Sequence, residues 1–383
     1  LNNVRCRVTG LPKKVAGLLD DALAIPIPGA HYQGAVQSGR WDGKRHLFYA
    51  DRAAGAGTFP KGLLSRVEAL LAEAGVPFVV EDRRKLLPPA DLTRLTPDML
   101  AGDITLRDYQ IKAARRALKA GCGILWLATN AGKTEVASAI LKVLKLGTIE
   151  EHIGTIGEGR FDPKHITVAT IQSLTRKTTK EKMAIIAKYI KTVEVLIVDE
   201  GHHTKATTWY RLINRTVNAQ YRYVLSGTPF GSGNGLMVEA TVGPVVAKVS
   251  NKTLVRLGVS AVPTIRFIEV SEPVLDAGMA WTDVYREGIV LNTARNSAIA
   301  REVEQFAKAK KPTLVLVREL WHGDMLATMF KSLKIPYAFV HGKMPMSMVE
   351  QEKARFESGK IAVLLASPIF DEGVDVPAIR ALV

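Results

Sequence analysis

The stretch from residue 121 to residue 144, GCGILWLATNAGKTEVASAILKVL, limits the fold of this chain more than any other. It joins an apolar run to a short loop and then to a helical pattern, which is how a doubly wound parallel sheet begins. The loop ends in Gly132-Lys133-Thr134, the tail of the phosphate-binding pattern G-x-x-x-x-G-K-[ST]. Leu127 occupies the position of the leading glycine. The loop alone therefore leaves two interpretations open, a nucleotide site and a chance Gly-Lys-Thr in a basic protein.

Other apolar runs of strand length follow at intervals that suit alternating strands and helices. They lie at residues 165–170, 193–200, 221–228, 312–317, 337–342 and 361–367, with a linker expected around 250–275 and a helix from about 281 to 309. Two tandem α/β lobes are the simplest account of this order. Residues 1–90 differ, with short strands, glycine turns and a helix from about Lys61 to Glu73. We predict a small α+β accessory domain at 1–90, a first lobe at 91–255 and a second lobe at 256–383.

The charge balance of the chain indicates a polyanionic partner. The formal net charge is +15, and residues 101–260 hold 23 basic and 12 acidic side chains. Such a surplus attracts nucleic acid, although a merely soluble basic surface stays an open alternative. No apolar run approaches the ~18 residues of a membrane helix. The two cysteines, Cys6 and Cys122, suit a reducing compartment as buried packing thiols, so we expect a cytoplasmic protein.

Acidic and hydroxyl side chains follow two of the predicted strands. Asp199 and Glu200 end the run VEVLIVDE, and Ser226 and Thr228 end the next run, YRYVLSGT. The carboxyl ends of parallel strands are where ligands bind. A carboxylate there can hold Mg²⁺ while its neighbour positions an attacking water, and small hydroxyls suit contact with a terminal phosphate. Taken singly, the acids also suit a helix cap and the hydroxyls a turn.

These segments occur in the order of the motifs of superfamily 2 helicases, which the chain resembles over residues 105–383. The matching segments are LRDYQ (106–110), Gly132-Lys133-Thr134, VATIQSL (168–174), the DExH box at 199–202, SGT (226–228), TLVLVRE (313–319) and SPIFDEGVDVPAI (367–379). The resemblance implies two RecA-like lobes, with ATP and Mg²⁺ bound between them and nucleic acid crossing their shared surface. It favours the first interpretation of the Gly-Lys-Thr loop.

The resemblance also implies a role for each matching residue. Lys133 would bind the β- and γ-phosphates, while Thr134 and Asp199 would hold Mg²⁺. Glu200 would act as the catalytic base, and His202 would couple the nucleotide state to the second lobe. The further residues expected at the nucleotide are Arg107, Tyr109, Gln110 as the adenine ligand, Thr129, Asn130, Ala131, Gly132, Gly373 and Asp375. The lobe residues expected at nucleic acid are Thr170, Gln172 and Arg318.

The first 90 residues resemble the N-terminal domain of UvsW-type bacteriophage helicases and, more distantly, the repair helicase XPB. The resemblance rests on Tyr32, the turn Trp41-Asp42-Gly43 and the segment FPKGLL from Phe59. In that family the domain is a DNA-binding accessory, and Arg40, Lys44 and Arg45 would grip phosphates here. Trp41, Phe48 and Phe59 fit either base stacking or the core of a small domain.

Two family motifs are not found in the sequence. Motif Ia should fall near 145–155, and motif VI, with its arginine fingers, should fall beyond Val383. We expect that segments are missing from the sequence at both places, because a chain without the arginine fingers should hydrolyse ATP poorly. The adjacent His202 and His203 lack the further ligands of a zinc site.

The resemblance implies an ATP-dependent DNA helicase or translocase that remodels branched or forked DNA in recombination, repair or replication. We expect it to work as a monomer, in the host cytoplasm if it is viral. Two alternatives stay open. The motor motifs also occur in RNA helicases, and a chain without productive hydrolysis would act as an ATP-gated DNA clamp.

Overall fold

The computed structural model describes residues 3–51, 53–84, 86–144, 153–157, 159–175, 179–201, 207–230, 235–270, 273–367 and 376–383. The chain divides into two compact units, Leu1–Val262 and Pro263–Val383. The first unit holds both the predicted accessory domain and the predicted first lobe. The boundary between those two, at residue 90, stays a prediction.

The N-terminal part is built from short antiparallel strands and small helices. Its strands are β1 (Arg5–Thr9), β2 (Ala24–Pro26), β3 (Lys44–His46), β4 (Tyr49–Asp51) and β5 (Ala56–Pro60), and its helices are α1 (Lys13–Ala22), α2 (Gly34–Gln37) and α3 (Leu64–Glu73). One sheet has the order β1-β5-β4, and β2 pairs with β3. The helix predicted from Lys61 begins instead with a 3₁₀ turn over Lys61–Leu63. Phe48 and Phe59 are buried, so these two rings belong to the core.

The N-terminal part and the first lobe share one apolar core. Leu63 and Val67, beside and on α3, pack in the same cluster as Tyr210, Leu236 and Met237 from the first lobe. A Cβ on Gly62 would lie 2.0 Å from the backbone oxygen of Glu239, so only glycine allows this approach. The close packing fixes the N-terminal sheet against the first lobe.

The first lobe is a four-stranded parallel sheet flanked by helices. In chain order its elements are α4 (Asp108–Ala120), β6 (Cys122–Leu127), α5 (Lys133–Val143), β7 (Ile153–Gly157), β8 (Arg160–Asp162), β9 (Ile166–Ala169), α6 (Ile171–Thr175), α7 (Lys180–Thr192), β10 (Val195–Val198), α8 (Thr207–Ile213), β11 (Tyr221–Ser226), α9 (Leu236–Val242), β12 (Val245–Val249) and α10 (Asn251–Arg256). The main sheet has the order β10-β11-β6-β12, with all pairs parallel. The carboxyl ends of β6, β10 and β11 therefore share one edge.

Two expectations for the first lobe are wrong. The run at 165–170, expected to be a buried strand, does form a strand, β9, but its residues are half-exposed or exposed and it pairs with β7 in a separate sheet of order β8-β7-β9. Periodicity does not reveal which sheet a short apolar run joins. The linker expected from residue 250 begins with helix α10, whose first turn is capped by Ser250, because the side-chain oxygen accepts from the Thr253 N–H. Strand β12, on the edge of the main sheet, was not predicted.

The second unit contains another parallel sheet. Its elements are α11 (Trp281–Tyr285), a π-helical turn (Arg286–Val290), α12 (Thr293–Lys308), β13 (Thr313–Leu316), α13 (Leu320–Ser332), β14 (Tyr337–Val340), α14 (Met346–Glu357), β15 (Val363–Ala366) and β16 (Ala381–Leu382). The sheet order is β14-β15-β13-β16, all parallel. The single helix predicted over 281–309 is interrupted, since Asn292 caps a new helix by accepting from the Arg295 N–H.

The predicted fold class, α/β with two tandem parallel-sheet lobes after a small α+β part, is confirmed. In the part of the chain that the structure describes, no helix combines the length and apolarity needed to cross a bilayer.

Candidate active site

The phosphate loop lies between β6 and α5, at the carboxyl edge of the main sheet. Asn130 and Gly132 have left-handed backbones, with φ of 65° and 76°. The left-handed backbone of Gly132 favours glycine, and a Cβ there would lie 2.1 Å from Gln110 Nε2, so the Gln110 side chain would have to move. Helix α5 begins at Lys133, and its free N–H groups lie directly after the loop. A helix N-terminus of this kind binds phosphate.

Gln110 connects the loop to helix α4. Its side chain is 3% exposed, its Oε1 accepts from the Arg107 N–H at 2.7 Å, and its Nε2 donates to the Ala131 carbonyl at 3.2 Å. The first bond caps α4 and the second holds the loop. The predicted contact of Gln110 with adenine stays a prediction. Arg107 Nη1 donates to Tyr109 Oη at 3.4 Å, so these two predicted site residues adjoin each other.

The acidic pair of the DExH box lies opposite the loop lysine. Asp199 and Glu200 follow β10, and Lys133 Nζ lies 2.5 Å from Glu200 Oε1 and 3.7 Å from Asp199 Oδ1. The Lys133 side chain is only 18% exposed. Glu200 has a φ of 46°, and its backbone N–H donates to Asp199 Oδ1 at 2.8 Å. Two segments 67 residues apart in the chain thus meet in one charged cluster.

The SGT segment lies between these two groups, because β11 separates β10 from β6. Ser226 is fully buried, and its Oγ accepts from the Thr228 N–H at 3.1 Å. Thr228 itself is exposed. Trp126 Nε1 donates to the Gly227 carbonyl at 2.9 Å and ties the segment to β6.

Trp126 is a residue of this edge that the sequence analysis missed. Lys248 Nζ lies 3.9 Å from the centre of its ring, and Phe230 packs edge-on against it at 5.3 Å. The only sequence signal is a tryptophan near the end of an otherwise aliphatic strand, in the run GILWLA. Its neighbours come from β12 and from the turn after β11, so the pattern could not identify its role.

A Mg²⁺ ion fits the side chains at this edge. Thr134 and Asp199 are both exposed there, and a hydroxyl and a carboxylate are oxygen donors of the kind that Mg²⁺ takes in nucleotide sites, with water and phosphate completing its shell. Among the described residues, no group of three or more His, Cys, Asp or Glu side chains is arranged so that it could hold a metal ion by itself. This sparse donor set suits a metal carried by a nucleotide better than an all-protein metal site.

The other predicted site residues lie on other elements of the fold or outside the described residues. Thr170 and Gln172 are exposed beside and on α6, where Thr170 Oγ1 donates to Ser173 Oγ at 2.8 Å. In the second unit, exposed Arg318 follows β13 and lies 5.9 Å from the centre of the Tyr285 ring. His202, Gly373 and Asp375 lie outside the described residues.

The predicted phosphate-gripping cations of the N-terminal part lie around the Trp41 turn. Trp41 is half-buried, and its Nε1 donates to the Lys44 carbonyl at 2.9 Å. Arg40 is exposed and donates to Ser38 Oγ at 3.0 Å. Arg45 turns toward the first lobe, with its guanidinium 5.2 Å from the centre of the Tyr210 ring.

Comparisons with known proteins agree with this arrangement. Residues 148–231 match the family "Type III restriction enzyme, res subunit", and residues 294–383 match "Helicase conserved C-terminal domain". The chain is 26% identical to the DNA 3'-5' translocase XPB2 of Sulfurisphaera tokodaii over 342 residues, 73% of this chain and 74% of the relative. The crystal structure of T4 UvsW covers 100% of this chain and 82% of its own, with a TM-score of 0.53 and 16% identity, which indicates a shared fold.

The predicted family is confirmed by these matches. The two family matches cover the segment from the DExH box to SGT and most of the second lobe, and the phosphate loop precedes them in the expected order. The matches therefore indicate a superfamily 2 helicase, and they support an enzyme of the ATP-hydrolysing class.

Proposed function

We propose that the protein is an ATP-driven translocase on DNA. The observation that carries the proposal is the cluster of Lys133 with Asp199 and Glu200 at the carboxyl edge of a parallel sheet. Phosphoryl transfer to water requires a cation beside a phosphate loop and nearby carboxylates, and here the two carboxylates follow the next strand but one of the sheet. The loop would bind the phosphates, one carboxylate would bind the metal, and the other would orient the attacking water.

Each residue of the cluster has a proposed role in hydrolysis. Lys133 neutralises charge on the terminal phosphates, and the N–H groups at the start of α5 add hydrogen bonds to them. Glu200 orients the attacking water and accepts its proton. Mg²⁺, held by Thr134 and Asp199, would supply further charge neutralisation on the phosphates. Thr228, exposed at the end of the neighbouring strand, contacts the terminal phosphate.

The choice of DNA rests on the relative and on charge. The curated relative is named as a DNA translocase. The net charge of +15 favours binding to a polyanion. Exposed Thr170 and Gln172 in the first lobe and Arg318 in the second are the proposed contacts with the strand on which the motor moves. Action on branched or forked DNA, in recombination or repair, is the narrower form of the proposal, and it rests on the resemblance of the N-terminal part to UvsW-type helicases.

The test is steady-state ATP hydrolysis with no nucleic acid, single-stranded DNA, blunt duplex, forked duplex and RNA compared at equal nucleotide concentration. We expect stimulation by DNA, strongest with the forked substrate. Stimulation by RNA alone would reassign the protein as an RNA helicase. DNA binding that tightens with a non-hydrolysable ATP analogue, with no turnover on any substrate, would identify an ATP-gated clamp instead.

A further inference from the structure

A groove rich in arginine lies where the N-terminal sheet meets helix α8. It has a volume of about 390 Å³ and is lined by Arg5, Tyr210, Arg211, Asn214 and Arg215. Arg45 joins it from β3, through its contact with the Tyr210 ring. These six residues, the arginine groove, come from both parts of the first unit. None of them belongs to the helicase motifs identified in the sequence, and Arg45 alone was expected to bind phosphates.

The arginine groove has an unbalanced charge. Residues 201–238 contain no Asp or Glu, so α8 and the turn after it offer cations only. Within the described part of the chain, Arg45, Arg211 and Arg215 form no ion pair. Arg211, on α8, and Arg215, in the turn that follows it, are exposed, and both line the groove. Cations held together without acidic neighbours attract an anionic partner.

The floor of the groove is held rigidly. Buried Arg222 donates to the carbonyl oxygens of Ile213 and Thr216, at 3.0 Å each, and these residues bracket Asn214 and Arg215. Tyr210 is 9% exposed, and burial raises the pKa of its phenol, so the ring is a neutral wall of the groove. A groove whose backbone is fixed loses little entropy when a ligand binds.

The groove is remote from the phosphate loop. Helix α8 starts after the DExH box and leads back to the amino end of β11, where Gln220 N–H donates to the Glu194 carbonyl. Arg215 lies on this return path, whereas Lys133 and Glu200 lie at the carboxyl edge. The six residues of β11 span roughly 20 Å. The groove is therefore a separate anion site rather than an extension of the nucleotide site.

We propose that the arginine groove binds backbone phosphates of duplex DNA and forms a second contact that does not depend on ATP. The choice of DNA rests on the proposed function. Guanidinium groups bind phosphate oxygens in a bidentate manner, which lysine does not. The exposed Tyr49, 49% accessible and 5.1 Å below the Arg5 guanidinium, extends the same surface along the N-terminal sheet. Together, the arginine groove and Tyr49 bind DNA that lies ahead of or behind the segment on which the motor acts.

The test compares Arg211→Ala/Arg215→Ala with the control Arg115→Ala/Arg116→Ala, which removes the same charge from two exposed arginines on α4. Binding of a blunt fluorescent duplex is measured by anisotropy, without nucleotide, between 50 and 300 mM NaCl. We expect the groove variant to raise Kd about tenfold relative to the control and to lower the slope of log Kd against log salt by about 2, one unit for each lost phosphate contact. ATP hydrolysis without DNA should be unchanged.

Equal Kd values and equal slopes for the groove variant and the control would overturn the proposal. Competition by polyglutamate as strong as by duplex, at equal charge, would also overturn it, because the groove would then be a site for acidic peptides. If the alanine variant fails to fold, the charge-conserving variant Arg211→Lys/Arg215→Lys tests the groove instead. We expect it to raise Kd by less than the alanine variant, because it loses only the bidentate geometry. Binding is measured without ATP. A wild-type protein that lacks DNA-stimulated hydrolysis would therefore contradict the proposed function, while the comparison of Kd values would still test the arginine groove.

Discussion

Lys133 and Glu200 form a close ion pair across the width of one strand, with Nζ and Oε1 2.5 Å apart. In the proposed function a terminal phosphate binds at this pair, so a nucleotide would take the lysine away from the carboxylate. Exchange of one anionic partner for another keeps the lysine neutralised in both states. The pair thereby holds the loop lysine in place before ATP arrives.

Replacement of Lys133 by alanine should abolish turnover. The variant removes the cation that neutralises the transferred phosphoryl group, and loss of one such group costs on the order of 10²- to 10³-fold in rate. Steady-state ATP hydrolysis with forked DNA measures this loss, and anisotropy without nucleotide should give nearly wild-type DNA affinity. Lys112→Ala, an exposed lysine on α4, is the matched control. Turnover that persists in Lys133→Ala would remove the loop from the mechanism.

Replacement of Glu200 by glutamine should separate ATP binding from hydrolysis. The amide keeps the shape of the side chain but loses the charge that pairs with Lys133 and the capacity to accept a proton from water. We therefore expect nucleotide affinity to rise a few-fold and turnover to fall at least about 10²-fold, in the range of a lost general base. A fluorescent ATP analogue measures the first effect and single-turnover hydrolysis the second. Rapid turnover by Glu200→Gln would refute its role as base.

The meeting of the Gly-Lys-Thr loop, the DExH acids and the SGT turn at one edge could be predicted from sequence. Each follows an apolar strand, and parallel strands bring their carboxyl ends together. The position of β9 could not be predicted in the same way, because its apolar residues pair with β7 outside the main sheet and face partly outward. Local pattern fixes the type of an element, while its neighbours depend on long-range packing.

Buried polar side chains were also beyond sequence reasoning. In YRYVLS, Arg222 reads as an outward-facing residue, yet it is 2% exposed. Its guanidinium donates hydrogen bonds to backbone carbonyls of residues that lie 6 to 19 positions away in the chain. Burial lowers the pKa of Arg222 to about 10. Gln110 likewise was predicted only as a nucleotide ligand, and its bond to the loop carbonyl depends on how α4 packs against β6 and α5.

Replacement of Gln110 by alanine should loosen the phosphate loop. The buried Ala131 carbonyl and the part-buried Arg107 N–H would each lose a partner, at a cost of about 1–3 kcal/mol in the free energy of unfolding. Urea denaturation measures this loss, and the KM for ATP should rise because the loop is less well held. Gln305→Ala, at an exposed site on α12, should change the free energy of unfolding by less than about 0.5 kcal/mol. Equal stabilities for the two variants would mean that the Gln110 contacts contribute nothing.

The stability of the N-terminal part should depend on pH through His46. Its Nε2 lies 2.8 Å from Asp42 Oδ2 and its Nδ1 2.7 Å from Asp20 Oδ1, and the hydrogen bonds to Asp42 and then to Asp20 raise the pKa of the imidazole above its ordinary value. A raised pKa in the folded state means that the protonated ring stabilises the fold. This stabilisation is complete below the ordinary pKa of about 6.5 and is lost as the pH rises through the folded-state value.

The melting temperature of His46→Gln, measured against wild type from pH 5 to pH 9, tests this dependence. The deficit of the variant should be largest near pH 5 to 6 and should shrink as the pH rises, because only the charged ring gains from both carboxylates. His31→Gln is the control, since His31 is exposed and forms no ion pair in the described part of the chain. A deficit that is constant across the pH range, or that grows at high pH, would mean that His46 acts through packing and uncharged hydrogen bonds rather than through its proton.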